Sequence, residues 1–398
     1  MSQKNENIVI VGASRTPMGG FQGCLSAVTA PELGSQSIAA ALDQTPIDKG
    51  EINEVLMGCV LPAGQGQAPA RQASLGAGIP MEVPCTTLNK MCGSGMKTVM
   101  MAYDQLQAGN GEIVVAGGME SMSNAPYILP KMRGGARLGH DRVLDHMFVD
   151  GLEDAYEPGR LMGNFAEDCA EKYQFTREQQ DEFALGSLSN ALKAQEEGRF
   201  KKEISGVTVK TRKETVEITD DEQPKNARPE KIPNLKPAFK KDGTITAANA
   251  SSISDGAAAL VLMREGDAQQ RDMTVRAEIL AHATHAQEPN WFTTAPIPAI
   301  KKVLEKTGWQ PSDVDLWEIN EAFAVVPMAA MSEIGIPREK LNIHGGACAL
   351  GHPVGASGAR IIVTLLNALE TYGLKRGVAA LCIGGGEGTA IAIERRDA

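Results

Sequence analysis

Apolar residues recur at helical spacing in the stretch that follows Cys92. They occupy every third or fourth position, at Met96, Val99, Met100, Tyr103 and Leu106. This spacing gives one apolar face and predicts a helix that ends at the glycines of positions 109 and 111. Residues 84–88 contain a proline and two threonines, which disfavour helix and predict an extended segment. Cys92 therefore lies where a predicted strand gives way to a predicted helix.

The two patterns alternate along much of the chain. Short aliphatic runs predict strands at residues 7–11, 54–60, 112–116, 314–319 and 378–386, and amphipathic stretches predict helices at residues 31–42, 69–76 and 177–197. Such alternation predicts an α/β fold with a largely parallel sheet. Residues 124–248 interrupt it and are predicted to form a subdomain or a long excursion.

The order of elements occurs twice. Gly-Ile-Pro stands at residues 78–80 and again at 335–337. Each copy precedes a glycine-rich turn, an apolar helix and an aliphatic strand that ends in glycines. We interpret this as two duplicated halves, with a site where glycine-rich turns from both halves meet.

Composition narrows the class of protein. The chain of 398 residues is 42% hydrophobic and carries a net charge of −10, which argues against a general nucleic-acid binder. No apolar run is long enough to span a bilayer, and the polar first residues lack a signal-peptide core. The seven cysteines are odd in number and scattered, so we expect no metal site, no disulfide framework and a cytoplasmic location.

Four clusters supply candidate chemistry: Cys92, Asn320, His352 within a glycine-rich run, and Cys382 before three glycines. Near a helix N-terminus, Cys92 is predicted to have a lowered thiol pKa and to act as a nucleophile. A thiol nucleophile, a base, a second thiol and an amide together suit acyl transfer.

Structural alternatives remain open for each member of this set. Cys92 and Cys382 would then be buried packing residues, His352 a satisfied core histidine, and Asn320 a helix cap. A cysteine protease also needs Cys and His, although it has no need of the second thiol. The lysines and arginines of residues 199–241 suit either a solvated surface or a groove for an anionic ligand.

Several motifs together resemble the thiolase family over essentially the whole chain. They are Cys-Gly-Ser-Gly at 92–95, Asn-Glu-Ala-Phe at 320–323, Gly-His-Pro-x-Gly-x-Ser-Gly at 351–358 and Cys-Ile-Gly-Gly-Gly at 382–386. The resemblance implies two βαβαβαββ-type halves in a five-layer α-β-α-β-α core with an inserted loop domain. The implied divisions are residues 1–123 with 249–273, the loop domain 124–248, and residues 274–398.

The resemblance also implies a mechanism. Cys92 accepts an acyl group from acyl-CoA, His352 activates Cys92, and Cys382 exchanges a proton with the α-carbon of the second acetyl-CoA. His352 and a water held by Asn320 form one oxyanion site, and the backbone N–H groups of Cys92 and Gly384 form the other. Residues implied to contact the substrate are Leu152, Met162, Lys225, Phe239, Ala247, Ser251, Ala322 and Phe323.

The activity implied is that of an acetyl-CoA C-acetyltransferase, which interconverts two acetyl-CoA with acetoacetyl-CoA and CoA through an acetyl-cysteine. The coenzyme A thioesters are substrates, no cofactor or metal is implied, and the assembly implied is a homotetramer built from dimers. The alternatives are a broad-chain-length 3-ketoacyl-CoA thiolase of fatty-acid β-oxidation and a non-catalytic acyl-CoA carrier. The chain departs from many relatives at Leu161, His344 and Glu387, where histidine, asparagine, and methionine or glutamine are common.

Overall fold

The computed structural model describes residues 6–211 and 214–396. The strands are β1 Ile8–Arg15, β2 Gly19–Gly20, β3 Glu54–Gly58, β4 Cys85–Leu88, β5 Ile113–Ser121, β6 Tyr127–Ile128, β7 Leu144–Asp145, β8 Val207–Lys210, β9 Thr215–Ile218, β10 Ser254–Arg264, β11 Ala277–Ala286, β12 Leu316–Ile319, β13 Arg376–Ile383 and β14 Glu387–Arg395. The helices are α1 Ala30–Leu42, α2 Pro69–Gly76, α3 Ser94–Gln107, α4 Met162–Tyr173, α5 Arg177–Glu196, α6 Glu222–Asn226, α7 Glu265–Gln270, α8 Pro296–Thr307, α9 Val325–Ile334, α10 Ala347–Leu350 and α11 Ser357–Tyr372. Across the described ranges, no helix is both long and apolar enough to cross a membrane.

The main sheet runs in the order β12-β13-β14-β11-β1-β10-β5-β3-β4. Within the described chain, parallel pairing is confined to its outer parts, between β12 and β13 and among β5, β3 and β4. The prediction of a largely parallel sheet is therefore wrong. The central strands pair antiparallel because β10 returns beside β1 and β5, and because a tight turn joins β13 to β14.

The predicted duplication is confirmed by this strand order. The first half reads β4-β3-β5-β10-β1 from edge to centre, and the second half repeats it as β12-β13-β14-β11. The counterpart of β4 in the second half is reduced to a single parallel bridge between Trp317 and Leu341. The halves meet where β1 pairs with β11.

Two helices, α3 and α11, lie between the two halves of the sheet. Their apolar residues share one core cluster with inward-facing residues of β1, β10, β13 and β14. Helices α1 and α2 cover the outer face of the first half, and α8 and α9 cover that of the second. Glycines permit the central contact: a Cβ on Gly358 would lie 2.3 Å from the Met96 nitrogen, and one on Gly95 2.8 Å from the Ala359 nitrogen. The N-termini of α3 and α11 are therefore held together at the centre.

The long excursion between β5 and β10 contains α4, α5, α6 and two small hairpins. Buried ion pairs join it to β1, because Arg15 Nε contacts Glu203 at 2.6 Å and Arg15 Nη1 contacts Asp221 at 2.7 Å. Asp221 also accepts a hydrogen bond from the Met18 N–H (2.8 Å). A buried charge of this kind needs its partners in place, so these contacts fix the excursion against the core.

Candidate active site

Cys92 lies in a tight turn between β4 and α3. Met91, just before it, has a φ of 48°, a left-handed conformation that residues other than glycine rarely adopt. Side chains hold the turn: the Met91 N–H donates to Asn89 Oδ1 (2.9 Å), and the Lys90 N–H donates to Ser94 Oγ (2.8 Å). The predicted strand and helix on either side of Cys92 are confirmed.

The Cys92 thiol is less acidic than its sequence position predicts. Burial raises its pKa to about 11, and hydrogen bonds to the sulfur from the N–H groups of Gly384 and Cys92 lower it only in part. The predicted lowering by the helix N-terminus is wrong for the free protein, because the loss of water around a thiolate has the larger effect. The thiol is therefore protonated at rest and needs a base.

His352, which lines the same cavity as Cys92, is the candidate for that base. Its Nδ1 lies 2.5 Å from Ser357 Oγ, and that hydroxyl donates its proton to the Pro353 carbonyl oxygen (3.0 Å). Nδ1 must then donate to Ser357, which leaves the lone pair on Nε2 free to accept a proton. Burial, together with the Arg360 guanidinium, lowers the pKa of His352 to about 3. The imidazole is neutral at rest.

Asn320 lies beside this histidine. Its Nδ2 is 3.5 Å from His352 Nε2, and its Oδ1 is 3.5 Å from Arg360 Nη2. Arg360 is itself buried and paired with Glu318 at 3.1 Å. Helix α9 begins only at Val325, so Asn320 does not cap it.

Cys382 lies near the end of β13 and has no exposed surface. It belongs to the same apolar cluster as Ala322 and Phe323. Burial, together with the charge that Cys92 would carry, raises the pKa of its thiol well above the usual value. Gly384 follows in the turn to β14, with its N–H directed to the Cys92 sulfur.

A cavity of about 370 Å³, which we call the central cavity, brings most of the predicted residues together. Its lining includes Cys92, Leu152, Met162, Phe239, Ala247, Ser251, Ala322, Phe323, His352 and Gly384. Cys382 and Asn320 are fully buried and are not part of this lining. Lys225 is not in the lining; it lies on α6, more than half exposed, and contacts Asp220 at 2.6 Å. The geometry thus joins a thiol, a neutral imidazole and backbone donors at the end of an apolar cavity.

Comparisons with known proteins agree on the family. Residues 8–266 match the profile described as "Thiolase, N-terminal domain", and residues 273–395 match "Thiolase, C-terminal domain". The chain belongs to the thiolase family. Its predicted thiolase fold, with two α/β halves, is confirmed by these matches together with the sheet order described above.

Individual relatives of this thiolase match over nearly their full length. Acetyl-CoA acetyltransferase 2 of Arabidopsis thaliana is 51% identical over 98% of this chain and 97% of its own. The crystal structure of the Bacillus anthracis acetyl-CoA acetyltransferase has a TM-score of 0.97 at 42% identity, covering 99% of this chain and 100% of that one. A thiolase from Ascaris suum in complex with coenzyme A has a TM-score of 0.93 at 43% identity, covering 98% and 100%.

Glu120 is a site residue of this thiolase that the sequence reading missed. It is fully buried at the end of β5 and accepts hydrogen bonds from the N–H groups of Val60 (2.9 Å), Leu61 (3.1 Å) and Gly355 (2.9 Å). Burial raises its pKa to about 7. Glu120 therefore ties a loop of the first half to the His352 loop of the second. The available signal was its place two residues after a pair of glycines that follow an aliphatic run.

Glu321 plays a similar part for the Asn-Glu-Ala-Phe run. It accepts hydrogen bonds from Ser187 Oγ (2.7 Å), Asn342 Nδ2 (2.8 Å) and the Cys348 N–H (3.1 Å). These partners come from α5, from the bend at Asn342 and from the short helix α10. Glu321 thus fixes the segment that carries Asn320.

Proposed function

We propose that this thiolase is an acetyl-CoA C-acetyltransferase, which catalyses the reversible Claisen condensation of two acetyl-CoA to acetoacetyl-CoA and CoA. The observation that carries the proposal is the Cys92 thiol, with the Gly384 N–H directed to its sulfur, at the end of a cavity that His352 also lines. The names of the Arabidopsis and Bacillus relatives, at 51% and 42% identity over nearly the whole chain, support the same activity.

In the first half-reaction, the Cys92 sulfur attacks the carbonyl carbon of acetyl-CoA while its proton passes to His352 Nε2. The oxyanion that forms takes hydrogen bonds from fixed donors, which stabilise it without reorganising. The C–S bond to CoA then breaks, and the CoA thiolate takes the proton of Cys382. The products are CoA and acetyl-Cys92, with an imidazolium at His352 and a thiolate at Cys382.

In the second half-reaction, the Cys382 thiolate removes a proton from the α-carbon of a second acetyl-CoA. The resulting carbanion attacks the carbonyl carbon of acetyl-Cys92, and the Cys92 sulfur departs with the proton held by His352. Acetoacetyl-CoA is released, and every group returns to its starting protonation state. His352 and a water held by Asn320 form one oxyanion site in this scheme, and the Cys92 and Gly384 N–H groups form the other.

We assign substrate contacts to the cavity wall. The apolar side chains of Leu152, Met162, Phe239, Ala247, Ala322 and Phe323, with the hydroxyl of Ser251, take the acyl group and the adjoining arm of CoA. Lys225, outside the cavity, is proposed to meet a phosphate of CoA. The chemistry uses acetyl-CoA, acetoacetyl-CoA and CoA as substrates and products and needs no further cofactor.

Intact-protein mass spectrometry after brief incubation with acetyl-CoA tests the nucleophile. We expect one acetyl adduct on the wild type, labile to hydroxylamine as a thioester is, and none on Cys92→Ser. If acetyl-CoA binds and no adduct forms on the wild type, the protein is instead a carrier of acyl-CoA.

The variant Cys382→Ala distinguishes the role of the Cys382 thiol from that of the Cys92 thiol. We expect this variant to retain part of its acetyl-Cys92 formation, slowed by the loss of the proton that Cys382 gives to CoA. Condensation should fall much further, by about 1,000-fold or more, since a positioned base contributes on this scale. The measurements are adduct formation by mass spectrometry and acetoacetyl-CoA synthesis. Equal loss of both half-reactions would contradict the division of roles.

The preferred length of the acyl chain distinguishes the proposed acetyl-CoA C-acetyltransferase from a 3-ketoacyl-CoA thiolase of broad chain length. We expect thiolysis of acetoacetyl-CoA to exceed that of 3-ketohexanoyl-CoA and longer substrates in kcat/KM. A preference for the longer chains would replace the narrow activity with the broad one.

A cytoplasmic homotetramer built from dimers is proposed for the assembly. Among the described residues, strand β4 forms an edge of the sheet without a further partner strand, and Met81 and Leu138 are 74% and 97% exposed. Exposed apolar surface and an open strand edge favour contacts between copies. All seven cysteines lie in the described residues and are unpaired, which suits a reducing compartment. A monomeric mass by light scattering would contradict the tetramer.

A further inference from the structure

An ion pair spans the two turns that carry the proposed reacting groups. Lys90 Nζ contacts Glu387 Oε2, with side chains 21% and 34% exposed, so solvent screens the pair only in part. Lys90 belongs to the turn of Cys92, and Glu387 follows the turn of Gly384 directly. The pair therefore bridges the first and second halves of the fold beside the central cavity.

Lys90 is built into the turn of Cys92 by its backbone. Its N–H donates to Ser94 Oγ (2.8 Å), and its carbonyl accepts the Gly93 N–H (3.1 Å). Since both backbone groups are engaged on either side of Cys92, a displacement of Lys90 displaces the nucleophile.

Glu387 lies at the end of the glycine turn that joins β13 to β14. It pairs with Ile383 across the β13–β14 hairpin and with Ala286 on β11. The intervening Gly385 and Gly386 have φ values of 93° and 91°, a conformation in which glycine is strongly preferred. The Gln287 N–H donates to the Gly386 carbonyl oxygen (2.8 Å), so contacts with neighbouring residues, more than the glycines themselves, restrain the backbone that carries the Gly384 N–H.

The two turns already touch at one further point. A Cβ on Gly93 would lie 2.4 Å from Ile383 Cδ1, so the absence of a side chain lets the turns approach. One packing contact leaves rotation about it free, and a second, directional contact removes that rotation. The ion pair supplies the second contact.

We propose that Lys90 and Glu387 are positioning residues that set the Gly384 N–H against the Cys92 sulfur, and so align the donors for the oxyanion. This inference rests on the proposed function. The role is geometric: the groups that shift the Cys92 pKa are its burial, the N–H groups of Gly384 and Cys92, and Glu120, without a contribution from Lys90. Loss of the pair should misalign the donors and lower kcat while leaving substrate binding nearly unchanged.

The test measures kcat and KM for thiolysis of acetoacetyl-CoA in Lys90→Met, in the isosteric Glu387→Gln and in the double variant. We expect each single change to lower kcat by about tenfold with KM within about twofold, as expected for misplacement of under 1 Å. The double variant should be no slower than either single variant, because one contact is lost in all three. Additive losses, or kcat within about twofold of wild type, would overturn the proposal.

Glu394→Gln is the matched control. It removes the Arg376–Glu394 ion pair at the far end of the same hairpin, where the side chains are 39% and 26% exposed. We expect its kcat to equal that of the wild type; an equal loss there would mean that the hairpin's general stability is responsible. Circular dichroism of every variant checks folding.

Alkylation of Cys92 by iodoacetamide across pH supplies a second readout. Its midpoint should rise by a similar amount in Lys90→Met and in Glu387→Gln, because both variants withdraw the Gly384 N–H, which lowers the Cys92 pKa, from the sulfur. Shifts of opposite sign would indicate a charge effect on the thiol and would overturn the geometric role, as would an unmoved midpoint in both variants. Different results would contradict the proposed function and the positioning role of the ion pair. A wild type without acetyl adduct or thiolysis contradicts the proposed function, whereas an active wild type with unaffected variants contradicts only the positioning role.

Discussion

His344 and His352 lie in one short segment of the second half, and burial lowers the pKa of both imidazoles, to about 4 and about 3. Nearby arginines contribute to the lowering of both pKa values. By titration alone the two residues look alike, and both stand in the glycine-rich run that the sequence singles out.

Their surroundings differ. His352 has Ser357 on Nδ1 and Asn320 near Nε2, and it lines the central cavity. His344 is 1% exposed, neither of its ring nitrogens has a hydrogen-bond partner in the described chain, and the rings of Phe200 and Tyr372 lie 5.7 Å from it. A shifted pKa therefore reports burial; a role in the reaction also requires an oriented lone pair and access to the substrate.

The largest effect is expected for His352→Gln, which tests whether His352 and His344 differ in their role in the reaction. Removal of the Nε2 base should lower kcat for acetoacetyl-CoA thiolysis by about 1,000-fold, the scale of general acid–base catalysis. His344→Asn is the control and should keep kcat within about twofold, since its ring does not reach the cavity. A loss of less than tenfold in His352→Gln would mean that another group deprotonates Cys92.

The second prediction concerns the loss of folding stability at acidic pH that His344 causes. The folded state holds the pKa of His344 at about 4, below the value near 6.5 of an unfolded chain, so between these values the unfolded state binds more protons. The His344 imidazole therefore does not change the free energy of unfolding above pH 6.5. As the pH drops towards 4, it lowers that free energy by on the order of 3 kcal/mol. His344→Asn should remove that part of the pH dependence.

Urea unfolding at fixed protein concentration, followed by tryptophan fluorescence from pH 4 to 7.5, measures this difference. The comparison uses the slope of the free energy of unfolding against pH. A constant change in that free energy caused by the altered packing therefore does not affect the result. His140→Asn, on an exposed loop, should retain the wild-type slope. An unchanged slope in His344→Asn would show that its imidazole is hydrated or paired in solution.

The smallest effect is expected for Ser357→Ala, which leaves His352 in place but removes the partner of Nδ1. The favoured tautomer is then no longer fixed, and kcat should fall by about tenfold with KM nearly unchanged. Steady-state kinetics measure both constants. A raised KM with kcat intact would assign Ser357 to substrate binding instead.

Many helices and strands away from the centre of the sheet were predictable, because residues close in sequence specify them. The strand before Cys92 and the helix after it have turn residues and apolar spacing that agree with the structure, as do α2 and α5. The centre was not predictable in the same way. Strand β10 is buried along nearly all of its length and rich in alanine, so it lacks the alternation of a half-buried strand and matches helix preference equally well. The antiparallel middle of the sheet was missed for this reason.

The candidate site shows the same division. The glycine-flanked Cys92, the motif histidine His352 and the glycines after Cys382 could be named from the chain, and the central cavity gathers most of the contacts implied by family resemblance. Glu120 could not be assigned, because the three N–H groups that it binds come from segments about 60 and 235 positions away.

The sequence by itself determined the chemical groups, their placement at element junctions and the duplication that brings two sets of glycine turns to one centre. Tertiary structure alone decided the acidity of the Cys92 thiol, the tautomer of His352 and the pairing of Lys90 with Glu387. The physical reason is that helix and turn preferences act over a few residues, whereas desolvation and hydrogen bonding depend on groups that are remote in the chain and adjacent only after folding.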